Sequence, residues 1–326
     1  MTDGPMIQAE GLVKRYGSTV ALNGVDFSTP AGSILGVLGP NGAGKTTAIR
    51  ILTTLSRADQ GRAWVAGFDV AEHPAQVRRR IGVAAQSTTL DELLTGRQNL
   101  VMIGELSGLR RPEARRRAAD LLERLELTEA ADRLSKTYSG GMRRRLDLGA
   151  SMIMAPPVLF LDEPTTGLDP ASRLGIWDVI RGMVERGCTV LLTTQYLDEA
   201  DRLADRIAVF DHGRVIASGT PQELKAQTGS ARLEVTLSAP HPEAVLALQP
   251  LLEGPAHLSH DGRRLRAPVR NQDGLATAAV RVLDRAGVLV DDVQVHQPSL
   301  DDVFFALTGQ GVDGEETAAE PEEIPA

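Results

Sequence analysis

The sequence predicts an α/β fold that carries a second, smaller α+β domain. Three continuous apolar runs, at residues 34–38, 158–161 and 188–193, each end in glycine or polar residues, as strands buried on both faces of a parallel sheet do. Helix-like segments separate these runs, which is the alternation of a parallel sheet covered by helices. Shorter strand and helix patterns alternate over residues 231–308, and 326 residues suffice for about two domains.

The elements before and after the first buried run are shorter. Residues 6–27 alternate apolar and polar side chains around Asn23 and Gly24, which predicts short antiparallel strands. A helix over about 46–55, strands at 63–66 and 81–85, and two helices over 96–126 follow. The helices belong to a predicted helical insertion of about residues 96–155.

The residues after the first buried run match a phosphate-binding loop. Positions 39–46 fit G-x-x-x-x-G-K-[ST] without a mismatch, and their glycines let backbone N–H groups and a helix N-terminus approach a polyphosphate. Lys45 adds a charge for the β- and γ-phosphates, and Thr46 a hydroxyl suited to Mg²⁺. A glycine-rich turn that binds nothing is the alternative. The predicted nucleotide contacts are Gly39, Pro40, Asn41, Gly42, Ala43, Gly44, Lys45, Thr46 and Thr47.

Two later motifs extend this pattern. Ser139, Gly140 and Gly141 precede an amphipathic helix predicted from about residue 143 to 154, where exposed N–H groups and a hydroxyl can meet an anion; an ordinary helix N-cap is the alternative. The apolar run 158–161 ends in Asp162 and Glu163. Asp162 suits Mg²⁺ and Glu163 can take a proton from an attacking water, unless both are plain surface-turn residues.

Four further positions are candidates for function. Gln86 follows a predicted strand, where α/β sheets place ligand contacts, although a glutamine at such a position is more often a plain loop residue. Tyr16 can stack on adenine or be an ordinary half-buried strand residue. Asp169 precedes Pro170, as a helix N-cap does. Gln195 follows the run 188–193. A hairpin at 207–210 and 214–218 and a helix from 221 then close the first domain.

The composition excludes several classes of protein. No apolar run approaches the roughly 18 to 20 residues that span a bilayer, and the N-terminal MTDGPMIQAE lacks a basic region followed by an apolar core. We therefore expect a cytoplasmic chain without a transmembrane segment or covalent lipid anchor. Cys188 is the only cysteine, so a cysteine metal cluster or disulfide framework cannot form within one chain.

The net charge of −8 is concentrated at the C-terminus. Six acidic residues lie in the last sixteen, which leaves about −2 for the rest. Aromatic residues make up only 3%, so we expect no binding to nucleic acid. The arginine clusters at 78–80, 115–117 and 143–145 are interpreted as solvated helix faces.

In this order the motifs resemble the ATP-binding subunit of an ABC transporter, over residues 6 to about 227. The resemblance implies that Tyr16 stacks on adenine and that Gln86 lies in the loop linking Mg²⁺ and water to the membrane partner. It further implies that Asp162 assists Mg²⁺ and that Glu163 is the catalytic base. The predicted fold class is thus a P-loop NTPase of the ABC ATPase type, with an antiparallel β subdomain and a helical subdomain.

The resemblance also implies that each ATP site is composite. Two ATP-binding domains face each other, so Ser139, Gly140 and Gly141 contact the nucleotide held by the opposite subunit, and Asp169 lies at the dimer interface. With one set of motifs per chain, a homodimer is expected, or a heterodimer with another subunit.

The sequence departs from the family pattern at three positions. Tyr138 and Met142 stand where the family usually has Leu and Gln. Gln195 replaces a His that contacts the γ-phosphate, and an amide can donate that hydrogen bond but cannot become cationic. We infer that the chemistry rests on Glu163, with Lys45 and Gln86 assisting and Gln195 acting as a γ-phosphate sensor in a slow enzyme.

The segments TTQYLDEAD and PSLDDVFFALTG resemble the daunorubicin/doxorubicin-resistance type of drug-export ATPase, nearly end to end. This implies an ATP-hydrolysing subunit at the cytoplasmic face of the membrane, which energises efflux of a hydrophobic drug or secondary metabolite through a separate multi-spanning permease. The alternative is a cytoplasmic non-transport ABC ATPase, an ATP-driven switch acting on a macromolecular partner.

The predicted domains are residues 1–228 and 229–309. The second has the order βαββαβ plus a helix, with a hairpin turning at Asp261 and Gly262, which predicts a small ferredoxin-like domain. A role in dimer contacts or regulation is favoured over drug binding. Residues 310–326 are rich in Glu, Ala and Pro and are predicted to be a disordered acidic tail.

Overall fold

The computed structural model of the chain describes residues 4–84, 90–227, 231–269 and 274–308. These residues form two compact units, and the division between the units falls after Pro221. The elements of the first unit are, in chain order, β1 (Ile7–Tyr16), β2 (Thr19–Thr29), β3 (Ile34–Leu38), α1 (Lys45–Leu52), β4 (Gln60–Val65), β5 (Phe68–Asp69), α2 (Pro74–Arg78), β6 (Ile81–Ala84), α3 (Gly96–Leu106), α4 (Arg111–Arg124), α5 (Gly140–Met152), β7 (Val158–Asp162), α6 (Pro170–Val184), β8 (Thr189–Thr194), α7 (Leu197–Leu203), β9 (Arg206–Asp211) and β10 (Arg214–Gly219). The helix α8 (Pro221–Gln227) begins at the division.

The central sheet of the first unit has the strand order β10-β9-β3-β8-β7-β6. Its strands are parallel except for β10, which pairs antiparallel with β9 at the edge. Every residue of β3, β7 and β8 is buried, as expected for strands of a parallel sheet that is covered on both faces. The predicted α/β fold with a parallel sheet is confirmed.

An antiparallel sheet of order β2-β1-β4-β5 forms the N-terminal part of the same unit. The sequence predicted short strands around Asn23 and Gly24, but β1 has 10 residues and β2 has 11, and this pair lies inside β2. The pairing shifts register there, between Leu12 opposite Val25 and the next residue of β1. Gly24, at φ 74°, therefore makes a bulge within a long strand.

A helical subdomain made of α3, α4 and α5 interrupts the α/β pattern, as predicted, and has its own apolar cluster. Tyr138, one of the departures from the family pattern, belongs to this cluster and is 5% exposed. Its hydroxyl donates a hydrogen bond of 2.7 Å to the carbonyl of Ala130. A larger side chain with a satisfied polar end thus fills the place of the usual leucine.

The elements of the second unit are β11 (Ala231–Leu237), α9 (Ala244–Leu248), β12 (His257–Leu258), β13 (Arg264–Val269), α10 (Leu275–Arg285), β14 (Val290–His296) and α11 (Leu300–Thr308). The strands form an antiparallel sheet of order β12-β13-β11-β14. The order along the chain is the predicted βαββαβ plus a helix, so the ferredoxin-like prediction is confirmed. The helix predicted over 241–252 is shorter in the structure, and it ends before Pro250, which lacks the N–H group that continues a helix.

Two sequence predictions concern parts of the chain that lie outside the described residues: Gln86 and the acidic tail from residue 310. Within the described ranges, none of the helices combines the length and the apolar character needed to cross a membrane.

Candidate nucleotide-binding site

The strand order of the central sheet brings together residues that are far apart in the sequence. β3 leads into the phosphate loop (residues 39–46), its neighbour β8 leads to Gln195, and β7, next to β8, ends in Asp162. Leu38 pairs with Thr194, and Asp162 pairs with Thr193. Because these strands are parallel, their carboxyl ends open at one edge of the sheet, where α/β proteins bind ligands.

The backbone of the phosphate loop passes too close to its neighbours for side chains at two glycines. A Cβ atom on Gly39 would lie 2.3 Å from the carbonyl oxygen of Phe210, and one on Gly44 would lie 2.6 Å from that of Ala21. Gly42 has a φ of 83°, which favours glycine, and a Cβ atom there would meet open space. The loop is therefore fixed at both ends and open in the middle.

Lys45, the first residue of α1, is buried in the centre of the loop. Its Nζ donates hydrogen bonds to the carbonyls of Gly39 (2.6 Å) and Pro40 (3.1 Å), and it lies 3.7 Å from Oε1 of Glu163. Burial lowers the pKa of Lys45, while the charges of Glu163 and Asp162 act in the opposite direction. The ammonium group is thus held among groups that a phosphate can replace.

Asp162 connects the two sides of the site. Its Oδ2 lies 3.2 Å from the hydroxyl of Thr46, and its Oδ1 accepts a hydrogen bond of 2.6 Å from the hydroxyl of Thr193. Carboxylate and hydroxyl oxygens are the donors that Mg²⁺ prefers, so the pair Thr46 and Asp162 fits such an ion. The sequence analysis missed Thr193, although a threonine at the end of an apolar strand was a usable signal.

Glu163 has an uncommon backbone conformation beside this pair. Its φ is 49°, in the left-handed region that residues other than glycine rarely adopt. Its N–H group is 3.1 Å from both the carbonyl and the hydroxyl oxygen of Thr193, and its side chain is 8% exposed. Glu163 lines a groove of about 490 Å³ together with Gly140, Arg143 and Arg144, so Glu163 and the first turns of α5 border one space.

The signature turn (residues 139–141) begins α5. Ser139 is the N-cap, and its Oγ accepts a hydrogen bond of 3.2 Å from the N–H of Met142. The helix therefore begins at Gly140, three residues before the predicted start. Ser139 and Gly140 are both exposed, so the free N–H groups at this end of the helix can reach a ligand from outside the subunit.

Asp169 caps the helix that packs against this turn. Its carboxylate accepts hydrogen bonds from the N–H (2.9 Å) and the hydroxyl (2.6 Å) of Ser172, which lower its pKa. A Cβ atom on Gly141 would lie 2.5 Å from Oγ of Ser172. Asp169 is thus an N-cap, as predicted, and the Ser172 that it binds packs directly against Gly141 of the signature turn.

The two remaining candidates, Tyr16 and Gln195, each follow or end a strand. Tyr16, at the end of β1, is 46% exposed, and Nζ of Lys14 lies 5.5 Å from its ring centroid. An exposed ring offers a face for stacking. Gln195 is half-buried directly after β8.

A glycine loop at a helix N-terminus, a buried lysine and a threonine–aspartate pair beside a second carboxylate define a nucleoside-triphosphate site of the P-loop class. Residues 22–166 match the ABC transporter family. The chain is 52% identical, over 96% of its length and 98% of the relative's, to a daunorubicin resistance ATP-binding protein of Streptomyces coeruleorubidus. The chain belongs to the ABC transporter ATP-binding proteins and is an ATPase of this family.

Two further comparisons agree with this assignment. A daunorubicin/doxorubicin resistance ATP-binding protein of Streptomyces peucetius is 51% identical, over 98% of this chain and 97% of its own length. Among solved structures, the CbiO1 subunit of an ABC transporter complex from Clostridium perfringens superimposes with a TM-score of 0.64 at 27% identity, covering 68% of this chain and 91% of that one.

Glu199, in α7, was also missed by the sequence analysis. It is fully buried, and its Oε1 accepts hydrogen bonds of 2.9 Å from the hydroxyl of Thr165 and from Nε1 of Trp177. The acids Asp198 and Asp201 on the same helix are exposed, and the segment LDEADRL does not reveal which acid turns inward. Glu199 ties the helix after Gln195 to the loop that follows Glu163.

Glu199 is expected to make the stability of the fold depend on pH. Burial raises its pKa, although the hydrogen bonds from Thr194, Trp177 and Thr165 act in the opposite direction. The folded protein then holds a proton more tightly than the unfolded chain, so stability falls as the pH rises from about 4.5 towards the raised value.

Glu199→Gln is expected to remove this dependence of the free energy of unfolding on pH, which is at most about 1.4 kcal/mol per pH unit. The free energy of unfolding of the variant, relative to that of the wild type, should therefore increase as the pH rises. Urea denaturation followed by circular dichroism measures both values at each pH. Glu129→Gln, at an exposed position, is the control. Parallel pH profiles for the wild type and Glu199→Gln would contradict the assignment.

Proposed function

We propose that this chain binds and hydrolyses ATP to energise the efflux of a hydrophobic drug, of the daunorubicin type or a related secondary metabolite, through a separate membrane permease. The observation that carries the ATPase part is the set of buried contacts at one sheet edge, which joins Lys45 to Glu163 and Thr46 to Asp162. The drug class comes from the names of the two daunorubicin resistance relatives.

Each side chain of the site has a role in this proposal. The phosphate loop holds the ATP phosphates through its N–H groups, and Lys45 exchanges its bonds to the loop carbonyls for bonds to the β- and γ-phosphates. Tyr16 stacks on the adenine. Thr46, Asp162 and Gln86 would hold Mg²⁺, which when bound would neutralise phosphate charge.

The reaction then needs a base and an oriented water. An attacking water forms a bond to the γ-phosphorus while the bond from that phosphorus to the β–γ bridging oxygen breaks, so ADP and phosphate leave. Glu163 accepts the proton of the water. Gln195 donates a hydrogen bond to the γ-phosphate, which an amide can do without carrying a charge.

A second subunit completes the site. The signature turn is exposed, and its N–H groups and the Ser139 hydroxyl are suited to the γ-phosphate held by another copy. We propose a two-fold homodimer with two composite sites and with Asp169 at the interface.

The permease is the proposed partner at the cytoplasmic face of the membrane. The relatives are named for drug resistance, which favours export over a non-transport switch. The second unit is proposed to serve dimer contacts or regulation.

Glu163→Gln is expected to lower the hydrolysis rate by about 10² to 10⁴ and to leave ATP binding intact, because only the base is lost. In the presence of ATP the variant should then remain an ATP-bound dimer. Size-exclusion chromatography measures the dimer, and phosphate release measures the rate of hydrolysis. Lys45→Ala is the control, since it should neither bind ATP nor dimerise. Hydrolysis at the wild-type rate in Glu163→Gln would refute its assignment as the base.

Gln195→Ala is expected to lower kcat on the order of 10²-fold, the usual effect of losing one hydrogen bond to a developing charge. Gln195→His should retain or exceed the wild-type rate, because imidazole restores a donor. Steady-state kinetics on both variants measure the effect. Full activity in both would mean that Gln195 is not a γ-phosphate sensor.

Drug export is tested in cells that carry this chain together with a multi-spanning permease that co-purifies with it. Daunorubicin accumulation should be lower in these cells than in cells carrying Lys45→Ala and the same permease. Equal accumulation in the two strains would exclude daunorubicin as cargo, while the ATPase assignment would stand on the preceding measurements.

A further inference from the structure

Three consecutive arginines follow the signature turn, and their side chains have different partners. Arg143 lies 3.2 Å from the carboxylate of Glu92, and Arg145 lies 3.1 Å from that of Glu126; both of these acids are exposed. The sequence analysis interpreted all three arginines as a solvated face. For Arg144 that interpretation is wrong, because its side chain turns into the unit and is only 11% exposed.

The guanidinium of Arg144 binds the acidic turn (residues 162–164) through its backbone. It donates hydrogen bonds to three successive carbonyls, those of Asp162 (3.3 Å), Glu163 (3.1 Å) and Pro164 (2.6 Å). It also lies 3.4 Å from the carboxylate of Asp147 on its own helix. A planar group with five N–H donors can hold several acceptors in one fixed geometry, which a lysine cannot.

These contacts fix the backbone on both sides of Glu163. The N–H group of Glu163 faces Thr193, and the carbonyl of Glu163 faces Arg144. A left-handed φ at a residue other than glycine costs about 1–3 kcal/mol and persists only where surrounding contacts enforce it. The hydrogen bond from Arg144 to the Glu163 carbonyl is part of that enforcement, next to the contacts of the carboxylate itself with Lys45 and Thr166.

Arg144 also belongs to the helix that begins with the signature turn. Ser139 is the N-cap of α5, and Arg144 lies five residues further along the same helix. A movement of α5 therefore moves the guanidinium and, through it, the acidic turn. This step relies on the proposed function, in which the signature turn meets the nucleotide of the other subunit and Glu163 is the base.

We infer that Arg144 is a positioning residue that couples engagement of the signature turn to the placement of the Glu163 carboxylate. Its guanidinium binds the backbone carbonyls of the acidic turn and lies beside the carboxylate of Asp147. Its loss should therefore change the rate of hydrolysis and leave the affinity for ATP unchanged.

A neighbouring arginine provides a matched control for the test. Arg144→Gln is expected to lower kcat by about tenfold or more, with the affinity for ATP, measured at equilibrium without turnover, within about twofold of wild type. Arg145→Gln, on the same helix and with the same loss of charge, should keep kcat within about twofold. A wild-type kcat in Arg144→Gln, or an equal loss in both variants, would overturn the inference.

A double-mutant comparison separates positioning through Glu163 from a general loss of stability. If Arg144 acts through Glu163, adding Arg144→Gln to Glu163→Gln should leave the low residual rate unchanged, because the group being positioned is already absent. Independent effects would multiply and would refute the coupling. A wild-type rate in Glu163→Gln alone would instead refute the proposed base.

Arg144→Lys covers the case in which the glutamine variant does not fold. It keeps the charge beside Asp147 but cannot hold three carbonyls at once. Its kcat should be reduced while its affinity for ATP and its thermal midpoint stay near wild type. A wild-type kcat in the lysine variant would show that charge alone suffices and would overturn the inference.

Discussion

The hydrogen bond of 2.6 Å from Thr193 to Asp162 joins the ends of two strands on which the whole site depends. Asp162 also meets Thr46 at the start of α1, so one carboxylate connects the phosphate loop, the acidic turn and the end of β8. Thr46 and Asp162 are separated by 116 positions in the sequence. They meet because crossover connections place β3, β8 and β7 side by side with their carboxyl ends at one edge.

The electrostatics of the site follow from this meeting. Lys45 and Glu163 bury opposite charges at 5% and 8% side-chain exposure, and such charges are tolerated only when paired and hydrogen-bonded. The ammonium group donates hydrogen bonds to the carbonyls of Gly39 and Pro40. These bonds and the nearby carboxylate offset the cost of burying the lysine.

The parts of this fold that could be predicted from sequence are those that local chemistry determines. Continuous apolar runs gave the buried strands, and the glycine loop gave the turn before Lys45. The bulge at Gly24 could not be separated from a turn, because both conformations favour glycine at positive φ. The inward direction of Arg144 and Glu199 depends on which helix face packs against the sheet, and runs of like charges do not reveal that face.

The left-handed backbone at Glu163 has a consequence for engineering this protein. Glycine or asparagine would relieve the backbone strain there, so a search for more stable variants would select against the glutamate at this position. The local conformation disfavours the glutamate, but its carboxylate faces the lysine of the nucleotide site. With Glu163 as the proposed base, thermostability and turnover are opposed at a single residue, and a hyperstable version of this ATPase should retain that strain and gain its stability elsewhere.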